Sequence, residues 1–243
     1  MKIAIVGYGK MGKMMESLAP EFHMTIAERY DSQNPLTDES PLNVDVAIDF
    51  TEPKLAATHV QICLQKGVAI VVGTTGWYDQ FDAICRQVDR HQGALFYATN
   101  FSIGVNLFFK MNEIMARLMK GNGYRATLTE IHHTAKKDAP SGTAISLAEG
   151  ILKAGEYKQW KLVDDPNQAS ANQLPVLAHR QDPVPGTHSI VWSSSIDTLH
   201  MEHIAHSREG FARGALQAAQ WIFGKTGVFN MQDMLNFTDS QHS

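Results

Sequence analysis

The chain has 243 residues, 44% hydrophobic and 19% charged, enough for one large domain or two modest ones with a sizeable core. Those values set aside disordered and fibrous architectures. With 21 basic against 25 acidic residues the formal net charge is −4, so there is no basic excess to neutralise a nucleic-acid backbone. A local cationic pocket for a small anion remains open. The two cysteines, Cys63 and Cys85, are too few for a disulfide scaffold or a zinc knuckle and read as small buried hydrophobes. No apolar run approaches the ~18 residues of a membrane span, and the segment after Met1-Lys2 reaches glycines too soon for a signal peptide. The expectation is a soluble cytoplasmic protein.

The β-branched run Lys2 to Gly7 predicts a buried strand, and Met11 to Ala19 a helix stopped by Pro20. Strands follow at Met24 to Glu28 and Val44 to Phe50. A helix from about Pro53 to Lys66 is closed by Gly67, a natural C-terminal cap. Val68 to Val72 is a strand, Tyr78 to His91 a helix and Ala94 to Tyr97 a fifth strand. Alternation at this spacing fits βαβ crossovers and predicts an α/β fold, a Rossmann-like doubly wound parallel sheet.

The pattern then changes. Val105 to Lys120 is a long amphipathic helix, Tyr124 to Ile131 a strand and Thr143 to Lys153 a helix. From about Glu156 to Asp197 the chain is irregular, with Pro166, Pro175, Pro183 and Pro185 between strand-like pieces. Ser189 to Ser194 and Leu199 to His206 suggest a mixed or antiparallel sheet, and Arg208 to Phe223 a final helix. The expected division is a dinucleotide-binding domain at 1–101 and 209–243 and an α+β substrate and oligomerisation domain at 102–208.

Gly7-Tyr8-Gly9-Lys10-Met11-Gly12 is a G-x-G-x-x-G between a strand and a helix. The first glycine allows the tight turn, the second lets backbone approach a pyrophosphate and the third lets helix and strand pack closely. The helix start adds free N–H groups and a positive dipole end. Glu28, at the predicted end of the second strand, suits the ribose hydroxyls of NAD, and neighbouring Arg29 the 2′-phosphate of NADP. Gly73-Thr74-Thr75-Gly76 and Asn100-Phe101 follow further parallel strands at their carboxyl ends, where open α/β sheets bind ligands. A simple turn is the alternative at both places.

The densest stretch is Glu130-Ile131-His132-His133-Thr134-Ala135-Lys136-Lys137-Asp138-Ala139-Pro140-Ser141-Gly142-Thr143-Ala144. Ser141 reads as a helix N-cap, with the N–H groups of Gly142 and Thr143 facing an anion. Imidazoles and ammonium groups just upstream suit a small dicarboxylate that must also gain a proton. A metal site is disfavoured because adjacent histidines diverge on a strand. His200, His203 and His206 would share one face only on a helix; in a strand they alternate.

These residues resemble the 4-hydroxy-tetrahydrodipicolinate reductase (dihydrodipicolinate reductase) family. The signature His132-His133-x-x-Lys136-x-Asp138-Ala139-Pro140-Ser141-Gly142-Thr143-Ala144 carries the likeness. Gly7 to Gly12, Gly73 to Gly76, Asn100 to Asn106, Ser207 to Ala212 and Gly214-Ala215 support it. The resemblance implies reduction of (2S,4S)-4-hydroxy-2,3,4,5-tetrahydrodipicolinate, with loss of water, in lysine biosynthesis by the diaminopimelate route. It implies NADH or NADPH as cofactor, held by Gly7, Tyr8, Gly9, Lys10, Met11, Gly12, Glu28, Arg29, Gly73, Thr74, Thr75, Ala98, Thr99, Asn100 and Phe101. It further implies His132 as acid/base and Lys136 as proton donor. His133, Ser141, Gly142 and Thr143 would bind the substrate, no metal would take part, and the assembly would be a homotetramer. Two departures stand out. Lys137 replaces a usually apolar residue, and Asp182 replaces a common glycine before Pro185-Gly186-Thr187-His188. An amino-acid dehydrogenase on the same layout, or a nucleotide sensor using the first domain alone, would not call for the His-His-x-x-Lys loop.

Overall fold

The computed structural model describes residues 1–237. The chain divides into two compact units, Met1–Ile103 with the segment from Glu209, and Gly104–Arg208.

The first unit is built on a wholly parallel six-stranded sheet. Its strands are β1 (Lys2–Val6), β2 (Thr25–Tyr30), β3 (Val46–Asp49), β4 (Ala69–Val72), β5 (Ala94–Tyr97) and β11 (Gly227–Phe229), in the order β11-β5-β4-β3-β1-β2. Helices α1 (Lys10–Leu18), α2 (Pro53–Gln65), α3 (Phe81–His91) and α6 (Glu209–Ile222) cover it. The doubly wound expectation holds. One apolar core joins Ile3, Ile5, Met15 and Ile48 to Ala215, Leu216 and Ile222 of α6. A second joins Ala4, Val6 and Val72 to Val60 of α2 and Val88 of α3. The central strands are buried on both faces, which is why they read as unbroken apolar runs. The chain leaves β1 toward β2 on one side and returns to β3 on the other. This reversal puts a crevice at the carboxyl ends of β1 and β3, beside Gly7 to Gly12.

Strand β2 runs two residues beyond the expected Glu28 terminus. The Gly7 and Tyr8 N–H groups both donate to the Tyr30 carbonyl, at 2.9 and 3.1 Å, so the glycine loop itself prolongs the ladder. The expected helix from Tyr78 starts as a 3-10 turn and becomes α-helical at Phe81. Strand β11 is only three residues long and gave no periodic signal. Cys63 is buried within the second core, and Cys85 is half-buried on α3.

Gly214 sits where α6 meets the loop after β5: a Cβ there would lie 1.8 Å from the Phe101 carbonyl oxygen. Gly214→Ala should therefore cost about 1–3 kcal/mol of stability through overpacking. A thermal melt that leaves Tm unmoved would refute this contact.

The second unit has a mixed five-stranded sheet in the order β10-β9-β6-β8-β7. Its strands are β6 (Arg125–His132), β7 (Gln159–Leu162), β8 (Gln173–Arg180), β9 (Gly186–Ser193) and β10 (Thr198–Ala205). Helices α4 (Ile103–Met119) and α5 (Gly142–Leu152) pack on it around Phe108, Leu128, Leu147, Ile190 and Trp192. Strand β8 lies in the stretch expected to be irregular. Its Pro175 stands opposite Lys161 of the edge strand β7, and pairing with β6 begins one residue later at Val176, so the missing N–H breaks no bond of the central ladder. On β10 His200 is exposed and His203 half-buried, alternating as a strand requires; His206 lies beyond the strand end. Among the described residues no helix is long and apolar enough to cross a membrane.

Candidate active site

In the first unit the glycine loop has the shape its residues predict. Gly7 has φ +98°, and a Cβ on it would lie 2.3 Å from the Phe50 carbonyl oxygen. At Gly12 a Cβ would be 2.7 Å from the Gly7 carbonyl, so only glycine lets α1 sit this close. A Cβ on Gly9 would meet nothing within 4 Å. Two glycines are closed against the fold and the middle one faces open space, which fits a cradle for a pyrophosphate at the start of α1. A cleft of ≈ 650 Å³ lies here, lined by Gly7, Tyr8, Gly9, Asp31, Ser32 and Thr51 among others. Lys10 is exposed and Met11 half-buried at the helix start.

The other expected coenzyme residues divide into framework and rim. Thr74 is buried, and its hydroxyl donates to Asp49 at 2.7 Å while accepting from the Thr51 N–H at 2.7 Å. Asp49 also contacts Nδ1 of buried His59 at 2.6 Å, so the loops after β3 and β4 are tied by one buried polar network. A Cβ on Gly73 would meet the Phe50 ring at 2.3 Å. Phe101 is buried between Phe50 and Phe96, and Ala98 is buried too. Thr75 and Thr99 are exposed, and Asn100 accepts from the Ser102 N–H at 2.9 Å. Glu28 takes hydrogen bonds from the Tyr30 hydroxyl and the Asn43 N–H, while Arg29 points instead to Glu16. The two neighbours are not brought together.

In the second unit the alternation of β6 turns Glu130 and His132 inward on one face, with Ala126 and Leu128. Glu130 is fully buried and becomes a hub. The Ser141 N–H donates to both its oxygens at 3.0 and 3.1 Å, and both terminal nitrogens of Arg180 lie 3.4 Å from Oε1. His132 Nδ1 stands 3.4 Å from Oε2 and His188 Nε2 3.7 Å. His188 also meets the Ser141 hydroxyl at 3.2 Å. The register explains the gathering: Glu130 is opposite His188 on β9 and His132 opposite Arg180 on β8. Gly186 leaves room for the imidazole, since a Cβ there would lie 3.0 Å from His132 Nε2.

Ser141 caps α5 as expected, its hydroxyl accepting from the Ala144 N–H at 3.2 Å. It is buried with its amide spent on Glu130, so it holds the helix start in place. Gly142 is the open position there, with nothing within 4 Å of a Cβ. His133 is half-buried and diverges from His132. Lys136 Nζ donates to both Asp138 oxygens at 2.8 Å. Asp182 accepts from the Thr134 N–H at 3.1 Å and from its hydroxyl, so this departure from the family clamps the loop. Lys137 is exposed. Glu130, His188 and Arg180 were not singled out from the sequence. Glu130 had a usable signal, a carboxylate two residues on from Leu128 and in phase with Ala126 and Leu128 on the inward face of β6.

Burial pushes the His132 imidazole down to about 4, against the pull of the Glu130 carboxylate, so it is neutral at pH 7. Burial alone would raise Glu130, but the adjacent His188 imidazole and the hydrogen bonds from Ser141 overcome it and hold the carboxyl at about 2. Ligand atoms of Glu130, His132 and His188 lie within 4.8 Å of one another, yet the Arg180 guanidinium already supplies positive charge there.

These shifts fix the acid behaviour. A folded His132 near 4 against an ordinary 6.5 means the unfolded chain binds the proton first, so stability falls as pH drops from about 6.5 to 4. The loss is up to about 3 kcal/mol. Glu130 adds to it at lower pH, because its contribution is present above 4.5 and lost toward 2. Denaturant unfolding across this range should show the decline and a flatter one in His132→Gln. An equal slope in the variant would refute the burial of a neutral imidazole.

A wholly parallel sheet with a glycine cradle at its carboxyl edge is the architecture of a nicotinamide-dependent oxidoreductase. The models for the N-terminus and the C-terminus of dihydrodipicolinate reductase match residues 1–101 and 104–235. A 4-hydroxy-tetrahydrodipicolinate reductase from Christiangramia forsetii is 40% identical over 97% of this chain and 98% of its own. The Neisseria gonorrhoeae enzyme of that name is 36% identical over 80% of this chain and 74% of its own. A dipicolinate-bound dihydrodipicolinate reductase from Paenisporosarcina sp. TG-14 has the same fold, with TM-score 0.77, 23% identity and coverage of 96% and 98%. The chain belongs to the dihydrodipicolinate reductase family.

Proposed function

We propose that this chain reduces (2S,4S)-4-hydroxy-2,3,4,5-tetrahydrodipicolinate to tetrahydrodipicolinate with loss of water, in cytoplasmic lysine biosynthesis through diaminopimelate. The observation that carries this reading is the Lys136 ammonium and the Glu130–His132–His188 hub set at the start of α5. NADH or NADPH, when bound, supplies the hydride. Gly7, Gly9 and Gly12 hold its pyrophosphate, Glu28 and Arg29 its ribose end, and the loops at Gly73 to Thr75 and Ala98 to Phe101 complete the cradle. His133 and the Gly142 and Thr143 N–H groups take the substrate carboxylates, where charge-assisted hydrogen bonds are strong. Lys136 Nζ delivers a proton as negative charge builds on the substrate, and neutral His132 receives or relays one.

Assembly as a homotetramer through the second unit is supported by the sheet face away from α5. There Thr127, Thr129 and Ile131 of β6 are only half-buried and Ile204 of β10 is 52% exposed. In a coupled assay with freshly generated substrate, nicotinamide absorbance should fall. Pyridine-2,6-dicarboxylate should compete with substrate, less strongly as salt rises. Inhibition competitive with coenzyme instead would remove the α5 start from the substrate site. Sedimentation of the same sample should give four chains, and a monomer would refute the assembly.

A further inference from the structure

Beside the glycine cradle, three side chains from three elements close on one another. Glu16, on the second turn of α1, accepts from Arg29 Nε at 3.0 Å and from an Arg29 terminal nitrogen through the same oxygen. Its other oxygen accepts from the Tyr8 hydroxyl. The guanidinium also lies 5.9 Å from the centroid of the Tyr8 ring. Tyr8 belongs to the Gly7–Gly12 loop and lines the cleft, so the cluster stands on the rim of the cradle. Both charged side chains keep contact with water, 41% exposed for Arg29 and 30% for Glu16. A fold-stabilising role is therefore slight, because exposed pairs contribute little.

We propose that Glu16 sets the coenzyme preference: it occupies the Arg29 guanidinium and thereby discriminates against the 2′-phosphate that distinguishes NADPH from NADH. The inference rests on the reading of Gly7 to Gly12 as the coenzyme cradle. The bare ribose of NADH brings no charge to this rim. A 2′-phosphate brings about −1.5 to −2, and to reach Arg29 it must displace a carboxylate already paired there. The displaced Glu16 stays anchored on α1 next to the incoming anion, a like-charge contact that costs affinity. Arg29 identifies a phosphate-capable rim, while Glu16 keeps that capacity in check. Glutamine at this position has nearly the same shape: its single carbonyl oxygen can still accept from Arg29, and its NH2 can donate to the Tyr8 hydroxyl, so the substitution removes the charge at the cost of reversing one hydrogen bond.

The test is direct titration of NADH and of NADPH into the full chain, followed by nicotinamide fluorescence, for wild type, Glu16→Gln, Arg29→Ala and the double variant. Wild type should prefer NADH. Glu16→Gln should tighten NADPH about tenfold and move NADH far less, as expected for removing one charge beside a phosphate. The gain should shrink as salt rises and vanish in the double variant. If Glu16→Gln leaves the ratio of the two affinities where it was, or moves both alike, the proposal is overturned. A selective NADPH loss in Arg29→Ala beside an inert Glu16→Gln would leave the cradle reading standing and remove only the role of Glu16. Wild type binding neither coenzyme would remove both.

Discussion

Lys136→Ala should lower kcat by about 10²–10⁴-fold, the range for loss of a general acid, with coenzyme affinity nearly constant. The reason lies in the chemistry and in what surrounds the side chain. In the proposed reaction hydride transfer leaves negative charge on the substrate, and the proposed site offers Lys136, His132 and His133 as candidate proton donors. Burial leaves His132 neutral at pH 7, so it has no spare proton to give first. Lys136 is held by Asp138, whose carboxyl the ammonium keeps below the usual range, so the pair stays ionised into mild acid. Arginine at 136 separates the two roles open to this residue. It keeps the positive charge that would attract a carboxylate but does not surrender a proton. Lys136→Arg should therefore restore substrate affinity without restoring kcat. Recovery of kcat with arginine would show that Lys136 acts by charge alone.

The first unit was legible in the sequence because its strands are buried on both faces and its crossovers are short. Apolar runs and the caps between them placed β1, β3, β4 and β5 to within a residue or two. Its misses have local causes. The bonds from Gly7 and Tyr8 to the Tyr30 carbonyl extend β2, and no periodicity reports a bond between loop and strand. In the second unit the contiguous signature from His132 to Ala144 pointed to where the polar side chains gather. It could not show which side chains meet there. Glu130 meets His188 because β9 runs antiparallel to β6 in one particular register, and it meets Arg180 because β8 lies parallel on the other flank. Strand β8 was hidden by Pro175 and by polar residues near its ends, and with it Arg180. Register is a tertiary property, set by how a whole sheet packs, and a one-residue slip would have pointed every one of these groups elsewhere.

The hub itself predicts the behaviour of Glu130→Gln, a substitution that keeps shape and removes charge. The amide oxygen can still accept from the Ser141 N–H, so the start of α5 should hold. Arg180 would lose its buried carboxylate, and removing one partner of a buried pair typically costs about 3–5 kcal/mol. Arg180 keeps carbonyl acceptors on Lys136 and His179, at 3.2 and 2.8 Å, which should place the cost at the lower end. The effect on His132 is the part a merely structural role would not produce. Glu130 is the group that raises the His132 pKa against burial, so without its charge the imidazole should titrate below its present value of about 4. A drop in kcat of about 10²-fold, at the low end of acid–base contributions, should follow. Following the imidazole resonances of His132 by NMR through an acid titration reads the electrostatic part apart from the folding cost. A folded Glu130→Gln enzyme with an unmoved His132 titration and normal kcat would mean that the carboxylate only props up the sheet.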